Sequence, residues 1–480
     1  MELSPRRKQL VLMICCLSLL IVGLDTTIMN VALPSLQHDL GASVSGLQWT
    51  IDAYVLVLAS LLMLAGSTAD RVGRRRTFQT GLALFTLASL LCSIAPSLGW
   101  LIGFRMLQGV GASMLNPVAM SIITTTFTER RERARAIGVW GAVVGISIAA
   151  GPILGGVLVS GVGWRSIFLI NVPIGIAGLI LTAIFVPESK PARARRLDPV
   201  GQVLVIVTLA GLISAIIEAP RLGWSSAEIV GLLILAGLSG IALVLWELHR
   251  VEPLIDVRFF RSATFSGATS IAVCAFAGFS GFLFVNTLYL QNDLGLSPLR
   301  AGLYLLPMAV ATMLVAPISG RLVGTRGTRL PLVVAGVTMT AGAVLLTGID
   351  HSSPDGVLFA GYLLFGIGFG MVNAPITNTA VSGMPNAQAG VAAAVASTSR
   401  QVGGALGVAV VGSAYTSRLA AADSVSAAHL AWWIVAGCTL VVLWIGLLTS
   451  GRWAAASAAR AAQRLSGDQA SSPVALVSER

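Results

Sequence analysis

Four charged side chains stand where charge is costly. Asp25, Asp52, Arg105 and Arg400 lie inside long apolar runs of a 480-residue chain that is 55% hydrophobic and only 11% charged. A charge at the centre of a bilayer costs at least ~2.5–3.5 kcal/mol on insertion scales, so such a group must be protonated, paired or wet. Asp25 sits in Leu24-Asp-Thr-Thr-Ile-Met-Asn-Val-Ala-Leu-Pro34, with Asn30 one turn and a half further on. It can serve as a proton-titrating or cation-sensing acid, or as a structural acid bonded to neighbouring helices. Arg105, in Leu101-Ile-Gly-Phe-Arg-Met-Leu-Gln-Gly-Val-Gly-Ala112, is hard to deprotonate and therefore needs a carboxylate, carbonyls or water. Asp25 is a possible partner; the arginine then either tunes that acid or forms a fixed ion pair with it. Asp52, in Gln48-Trp-Thr-Ile-Asp-Ala-Tyr54, is a second buried carboxylate or the lining of a wet vestibule.

The elements that hold these residues are membrane spans. Apolar windows of about 20 residues, each long enough to cross ~30 Å of hydrocarbon, recur along the whole chain. They fall near 10–33, 47–68, 78–96, 100–125, 136–159, 165–187, 199–219, 228–247, 263–291, 299–320, 330–348, 356–381, 389–416 and 429–450. None alternates polar and apolar, so the spans are helices and not barrel strands. The first follows Arg6, Arg7 and Lys8 like a leader peptide, but no small-residue cleavage site ends it, and it reads as a retained span.

A net charge of +11 would suggest a nucleic-acid partner in a soluble protein. Here the basic residues mark sides. With the N-terminus placed inside, the inner segments carry 25 of the 31 lysines and arginines and the outer loops 4, leaving Arg105 and Arg400 within spans. That asymmetry predicts both termini in the cytoplasm and an even number of spans, with anionic lipid contact as a secondary consequence. Nucleic acid is not an expected partner.

Other chemistries find no residues to support them. No GxxxxGK phosphate loop occurs, so the chain is not expected to hydrolyse ATP. The five cysteines lie in apolar runs without metal-ligand spacing, and of the four histidines His38, His249 and His351 lie in or near loops and His429 at a span edge, so neither metal nor cofactor is expected. A membrane enzyme or sensor would need a catalytic cluster or a soluble domain between spans, and a channel would need a filter segment; the sequence offers neither. The chain is expected not to be an enzyme.

Three further segments bear on movement. In Gly66–Arg76, Gly66 and Gly73 would permit a tight reversal, and Asp70 sits beside Arg71, Arg74 and two further arginines. A charged turn of this kind can pair differently in two conformations and so act as a latch. Gly320–Arg329 follows span ten with the similar pattern G-R-x-x-G-x-R-G-x-R. If the loops correspond, spans one to six repeat as spans nine to fourteen, which is the pattern of secondary transporters with a midplane site. The organisation then reads as an N-terminal segment 1–9, a six-helix half 10–187, a linker 188–262 holding two extra spans, a second half 263–450, and a cytoplasmic tail 451–480. The third segment, Gly141–Gly156, spaces Gly141 and Gly145, and Gly151 and Gly155, four apart, with Pro152 inside the second pair and Gly156 at the end. Small residues at that spacing give a close-packing face, which the proline softens.

These segments resemble the signature motifs of the major facilitator superfamily, in its fourteen-span drug:proton antiporter branch. Residues 24–34 resemble its first-helix motif, 66–76 its cytoplasmic loop motif, 101–112 its fourth-helix motif, and Gly145–Gly156 the antiporter motif associated with exporters. Trp164–Gly175 and Ser399–Gly407 match as well, so the resemblance covers residues 10–450. It implies proton coupling at Asp25 and Arg105, a conformational latch at Asp70, Arg71 and Gly73, and a packing hinge at Gly151, Pro152 and Gly155. The second-half loop lacks the acidic position after Gly320.

The expected architecture is thus an all-α integral membrane protein of two six-helix halves plus two central helices. The expected function is proton-coupled export of antibiotics or lipophilic toxic compounds from a bacterial cytoplasmic membrane by alternating access, as a monomer. The alternative is proton-coupled transport of a metabolite, sugar or peptide. Amides and aromatics suited to an amphipathic ligand are Asn30, Trp49, Tyr54, Asn116, Asn171, Asn286, Tyr289, Asn373 and Asn378, with Arg400 beside them.

Overall fold

A computed structural model describes residues 4–463, apart from 192–196, 251–252, 351, 383, 385–387, 420, 422, 452, 455 and 462. Helices α1 (Pro5–Leu40), α2 (Val44–Val72), α3 (Arg74–Ser93), α4 (Leu98–Thr126) and α5 (Arg130–Gly161) run up and down. They are followed by a short α6 (Ser166–Leu169) and α7 (Asn171–Phe185), which share one span. The extra pair is α8 (Pro199–Leu222) and α9 (Ala227–Leu248). The second half holds α10 (Ala263–Leu288) with a π turn at Tyr289–Asp293, then α11 (Pro298–Tyr304) and α12 (Leu306–Arg326) in one span. It ends with α13 (Arg329–Leu346), α14 (Asp355–Val381), α15 (Ala389–Leu419) and α16 (Ser424–Thr449).

All fourteen expected spans coincide with helices, and several helices run further than the hydrophobic windows. Among the described residues, 12 segments are long and apolar enough to cross a membrane. The other two, α3 and α15, have the length but less apolarity: α3 opens with three arginines, and α15 is rich in Gly, Ala and Ser. Close packing substitutes for hydropathy there, because small residues let backbones meet. A Cβ on Gly403 or Gly407 of α15 would collide with the Val273 and Ala277 carbonyls of α10.

The two halves share one packing scheme. In the first, α1 lies on α5, α2 and α3 on α4, and α3 on α7; in the second, α10 lies on α15, α12 and α13 on α14, and α13 on α16. Of the extra pair, α8 rests on both α2 and α15, one helix from each half, and α9 rests on α8. Gln202 of α8 donates to the Ser60 carbonyl of α2 at 2.7 Å. Ser457, beyond α16, docks on the start of α10, its hydroxyl accepting from the Ala263 backbone N–H at 3.1 Å. The rest of the expected tail, 464–480, lies outside the described residues.

One face of the bundle carries the arginine clusters; call it the basic face. At the opposite face the halves are sealed. Gln291 donates to the Val31 carbonyl at 2.9 Å, and Gln48 to the carbonyls of Val408 and Ala409 at 3.1 and 2.9 Å. Leu299 donates its backbone N–H to the Ser160 hydroxyl at 3.2 Å. Toward the basic face the helices draw apart: a Cβ on Gly66, Gly138, Gly141, Gly320 or Gly324 would meet no neighbouring heavy atom within 4 Å.

Candidate functional site

Asp25 is the centre of a sealed polar cluster in the first half. Its side chain is 2% exposed and that of Arg105 1%, so no water screens the pair. Arg105 Nη1 lies 2.5 Å from Asp25 Oδ2 and 2.6 Å from Gln108 Oε1. Gln108 Nε2 donates to Asp25 Oδ1 at 2.8 Å and to the Ser89 hydroxyl at 2.9 Å. Asn171 adds a third donor to Asp25 Oδ1 at 3.2 Å. Arg105 Nε donates to the Thr50 carbonyl at 3.0 Å, and the guanidinium stacks over the Tyr54 ring at 4.3 Å. Five elements thus converge: α1, α2, α3, α4 and the start of α7.

The local sequence explains the convergence. On α4, Arg105 and Gln108 are three apart and share a face. Gly109 and Gly111 let the neighbours approach, since a Cβ on Gly109 would lie 2.7 Å from the Tyr54 carbonyl and one on Gly111 would strike the Phe85 backbone. The expected Asp25–Arg105 partnership is therefore present, and Tyr54 belongs to it instead of to a ligand cavity. Asn171, expected in the cavity, is likewise an Asp25 donor. Ser89 and Thr50 had no signal in the sequence, because hydroxyls and carbonyls recur everywhere in helices.

Asp52 stands apart from this cluster. It is fully buried on α2, one turn from Gln48, and neither carboxyl oxygen has a hydrogen-bond partner among the described residues. The two acids thus differ in kind: Asp25 is held by three donors, and Asp52 by none.

In the loop of Gly66–Arg76 only Gly73 makes the reversal, with φ at +119°, a region that favours glycine. Gly66 lies within α2, which runs to Val72, so its expected part in the turn is corrected: helix hydrogen bonding continues through it. Asp70, near the end of α2, meets Arg74, the first residue of α3, at 3.6 Å across the Gly73 reversal, while Arg71 is exposed. The sequence reading missed Glu188. Its carboxylate accepts the backbone N–H groups of Arg75 and Arg76 at 3.1 and 3.3 Å and so caps α3, whose own N-cap is a glycine. A carboxylate is the favourable charge at a helix N-terminus.

The glycines of α5 work in two directions. Gly151 and Gly155 face α1, where a Cβ on Gly151 would strike Thr27 and one on Gly155 would lie 3.3 Å from the Ile28 carbonyl. Gly156 faces the other half, 2.7 Å from the Leu299 Cα by the same measure, and a Cβ on Gly302 would strike the Pro152 carbonyl. Gly145 has only Met313 near it, at 3.9 Å, and Gly141 nothing, so the expected close-packing face begins later than the spacing implied.

The remaining cavity candidates divide. Asn286 is buried and ties α10 to α14, accepting from the Tyr362 hydroxyl at 2.9 Å, so it is an interhelix bond and not a cavity group. Tyr289 stacks edge-on against Trp432 and donates to the Asp350 carbonyl at the sealed face. Trp49 donates to Glu218 of α8 at 2.9 Å, and Asn30 is buried, donating to the Thr26 carbonyl. Those four are corrected as cavity groups by their burial or partners. Asn116 is half-buried with its carbonyl oxygen unpartnered, Asn373 is half-buried, Asn378 is exposed, and Arg400 donates to the Thr377 hydroxyl at 3.3 Å. The opening toward the basic face shows in the burial of one stripe of α14: Phe369 is buried, Asn373 half-buried and Thr377 exposed.

Two matched six-helix halves, sealed together at one face and parted at the other around a buried ion pair, define a multi-pass helical membrane transporter. A profile of the Major Facilitator Superfamily matches residues 15–408, and the chain belongs to that superfamily. It is 38% identical over 417 residues to the multidrug resistance protein Stp of Mycobacterium tuberculosis, covering 87% of this chain and 77% of that one. To the tetracenomycin C resistance and export protein of Streptomyces glaucescens it is 37% identical over 410 residues, covering 85% and 76%. The crystal structure of a D-xylose-proton symporter superposes with a TM-score of 0.67 over 91% of this chain and 96% of that one, at 15% identity, which speaks to the fold alone.

Proposed function

We infer that the protein is a proton-coupled exporter of antibiotics or lipophilic toxic compounds, working by alternating access in a bacterial cytoplasmic membrane. The observation that carries the mechanism is the acid pair of unlike environments, Asp25 sealed against Arg105 and Asp52 buried without a partner. A proton arriving at Asp25 would cancel its charge and leave Arg105 uncompensated, which changes the energy of the packing that Gln108 and Asn171 enforce. Coupling demands that proton and drug each prefer a different conformation, and an acid at the centre of a cluster drawn from five elements meets that demand. Asp52, lying on the helix that seals the halves through Gln48, is the second proton-carrying position. The two named relatives support export and a drug-like substrate.

By the positive-inside rule the basic face is cytoplasmic, both termini included, so the chain is captured open to the cytoplasm. Asp70, Arg71 and Arg74 then lie at the cytoplasmic ends that must meet when the protein turns outward. The protein acts as a monomer in contact with anionic lipid and catalyses no covalent step.

Reconstituted liposomes test this reading. An imposed proton gradient should drive accumulation of a cytotoxic dye, and Asp25→Asn should abolish the gradient dependence while Asp52→Asn lowers its slope. Dye movement indifferent to the gradient in the wild type would sink the proposal.

A further inference from the structure

The cavity wall of the second half carries a cation without an anion. Arg400 lies 11 residues into α15 from Ala389, so about 16 Å from the basic face at ~1.5 Å per residue. Its only hydrogen bond among the described residues is to Thr377, and no carboxylate lies within ion-pair distance of it. The sequence explains why. Between residues 263 and 449 the acids are Asp293, Asp350, Asp355 and Asp423, and all four stand at helix ends on the opposite face. Asp25 is occupied by Arg105, and Asp52 is fully buried. Among the described residues, then, no carboxylate balances the half-buried Arg400 on this wall.

An arginine in that position is costly unless something pairs with it. Thr377 is a neutral acceptor and satisfies one of five donors. Just deeper on α14, Phe369 stacks on Phe279 at 3.9 Å and meets Phe276 edge-on at 5.3 Å, and Phe276 is half-buried. Phe279 and Phe369 are buried against each other, and the half-buried Phe276 is the ring that leaves surface for a flat aromatic body, while an acidic substituent suits the guanidinium fork nearer the opening.

We propose that Arg400 selects the substrate by charge, so that this transporter takes planar aromatic compounds bearing a carboxylate or other acidic group and disfavours lipophilic cations. The inference rests on the exporter reading above and narrows its substrate class. Exclusion of cations follows from the same group, since a like charge brought to an unpaired guanidinium inside a poorly screened cavity is repelled.

Three probes with one ring system separate the contributions: pyrenecarboxylate, neutral pyrenemethanol and pyrenemethylammonium. Their binding to the full chain in lipid nanodiscs near neutral pH should rank in that order, carboxylate tightest. In Arg400→Gln the ratio of carboxylate to methanol affinity should fall about tenfold, the effect of one lost charge-assisted hydrogen bond, and Arg400→Lys should restore most of it. A wild type that binds the ammonium best, no binding of pyrenecarboxylate, or an Arg400→Gln chain whose ratio is unchanged would each overturn the proposal. Gradient-driven uptake of the probes into liposomes separates the two readings. Charge-selective binding with no gradient dependence defeats proton-coupled export alone, and gradient-driven uptake that favours the ammonium defeats the charge selection alone.

Discussion

At the scale of the residue, Asp25 and Arg105 each hold the other in place. Removing one partner of a buried pair leaves an uncompensated charge and costs about 3–5 kcal/mol, whereas removing both can be close to neutral. Asp25→Asn and Arg105→Gln should therefore each lower the thermal unfolding midpoint of the purified protein, and the double variant should lie nearer the wild type than the sum of the two. Additive losses would mean that the two side chains do not support each other. The double variant should nonetheless be inactive in gradient-driven transport, because stability is restored by it and the titrating group is not. The sequence made this pair visible, since a carboxylate and a guanidinium in apolar runs have few alternatives to each other. It did not reveal Gln108, Asn171 or Ser89 as their companions, because neutral amides and hydroxyls carry no comparable penalty that would force a partner.

At the scale of the element, α5 does the most with the least side chain. Gly151 and Gly155 fit it to α1 within its own half, and Gly156 and Pro152 fit it to α11 across the seam. These contacts predict different failures. Gly151→Val should disturb the first half as a unit and reduce the yield of folded protein. Gly156→Val should leave both halves folded but push Leu299 away, so that a cysteine at Leu299 becomes reactive to a membrane-impermeant maleimide from the opposite face. Equal reactivity in the wild type and in Gly156→Val would contradict the packing described for that glycine. The glycine spacing alone announced a close-packing helix but not which glycine faces which half; direction around a helix is set by neighbours that the periodicity cannot name. Glu188 was illegible for a related reason, as it caps α3 from 112 residues or more along the chain.

At the scale of the whole molecule, the structure holds one of the two states that transport requires. The halves touch near Gln48, Gln291 and Leu299 and separate around Gly66 and Gly324. Spin labels at Gly66 and Gly324 should give a long distance in the resting protein. A shorter population should grow when an acidic pH is imposed on the opposite face, and that growth should vanish in Asp25→Asn. A single unchanging distance under both conditions would deny the rocking motion. The number of spans and their division into two matched sets were readable from hydropathy and the recurring basic loops, because the bilayer imposes spans segment by segment. The place of the extra pair was not, since nothing local tells a lipid-facing helix where to dock. That place has its own consequence. By resting on both α2 and α15, α8 covers one of the two lateral seams between the halves, while at the other α5 packs directly against α11 and α12 and neither helix of the extra pair lies over it. The two flanks that the halves present to the lipid are thus unlike, one thickened by an added pair of helices and the other bare, so the molecule is lopsided in the membrane plane although its halves are matched.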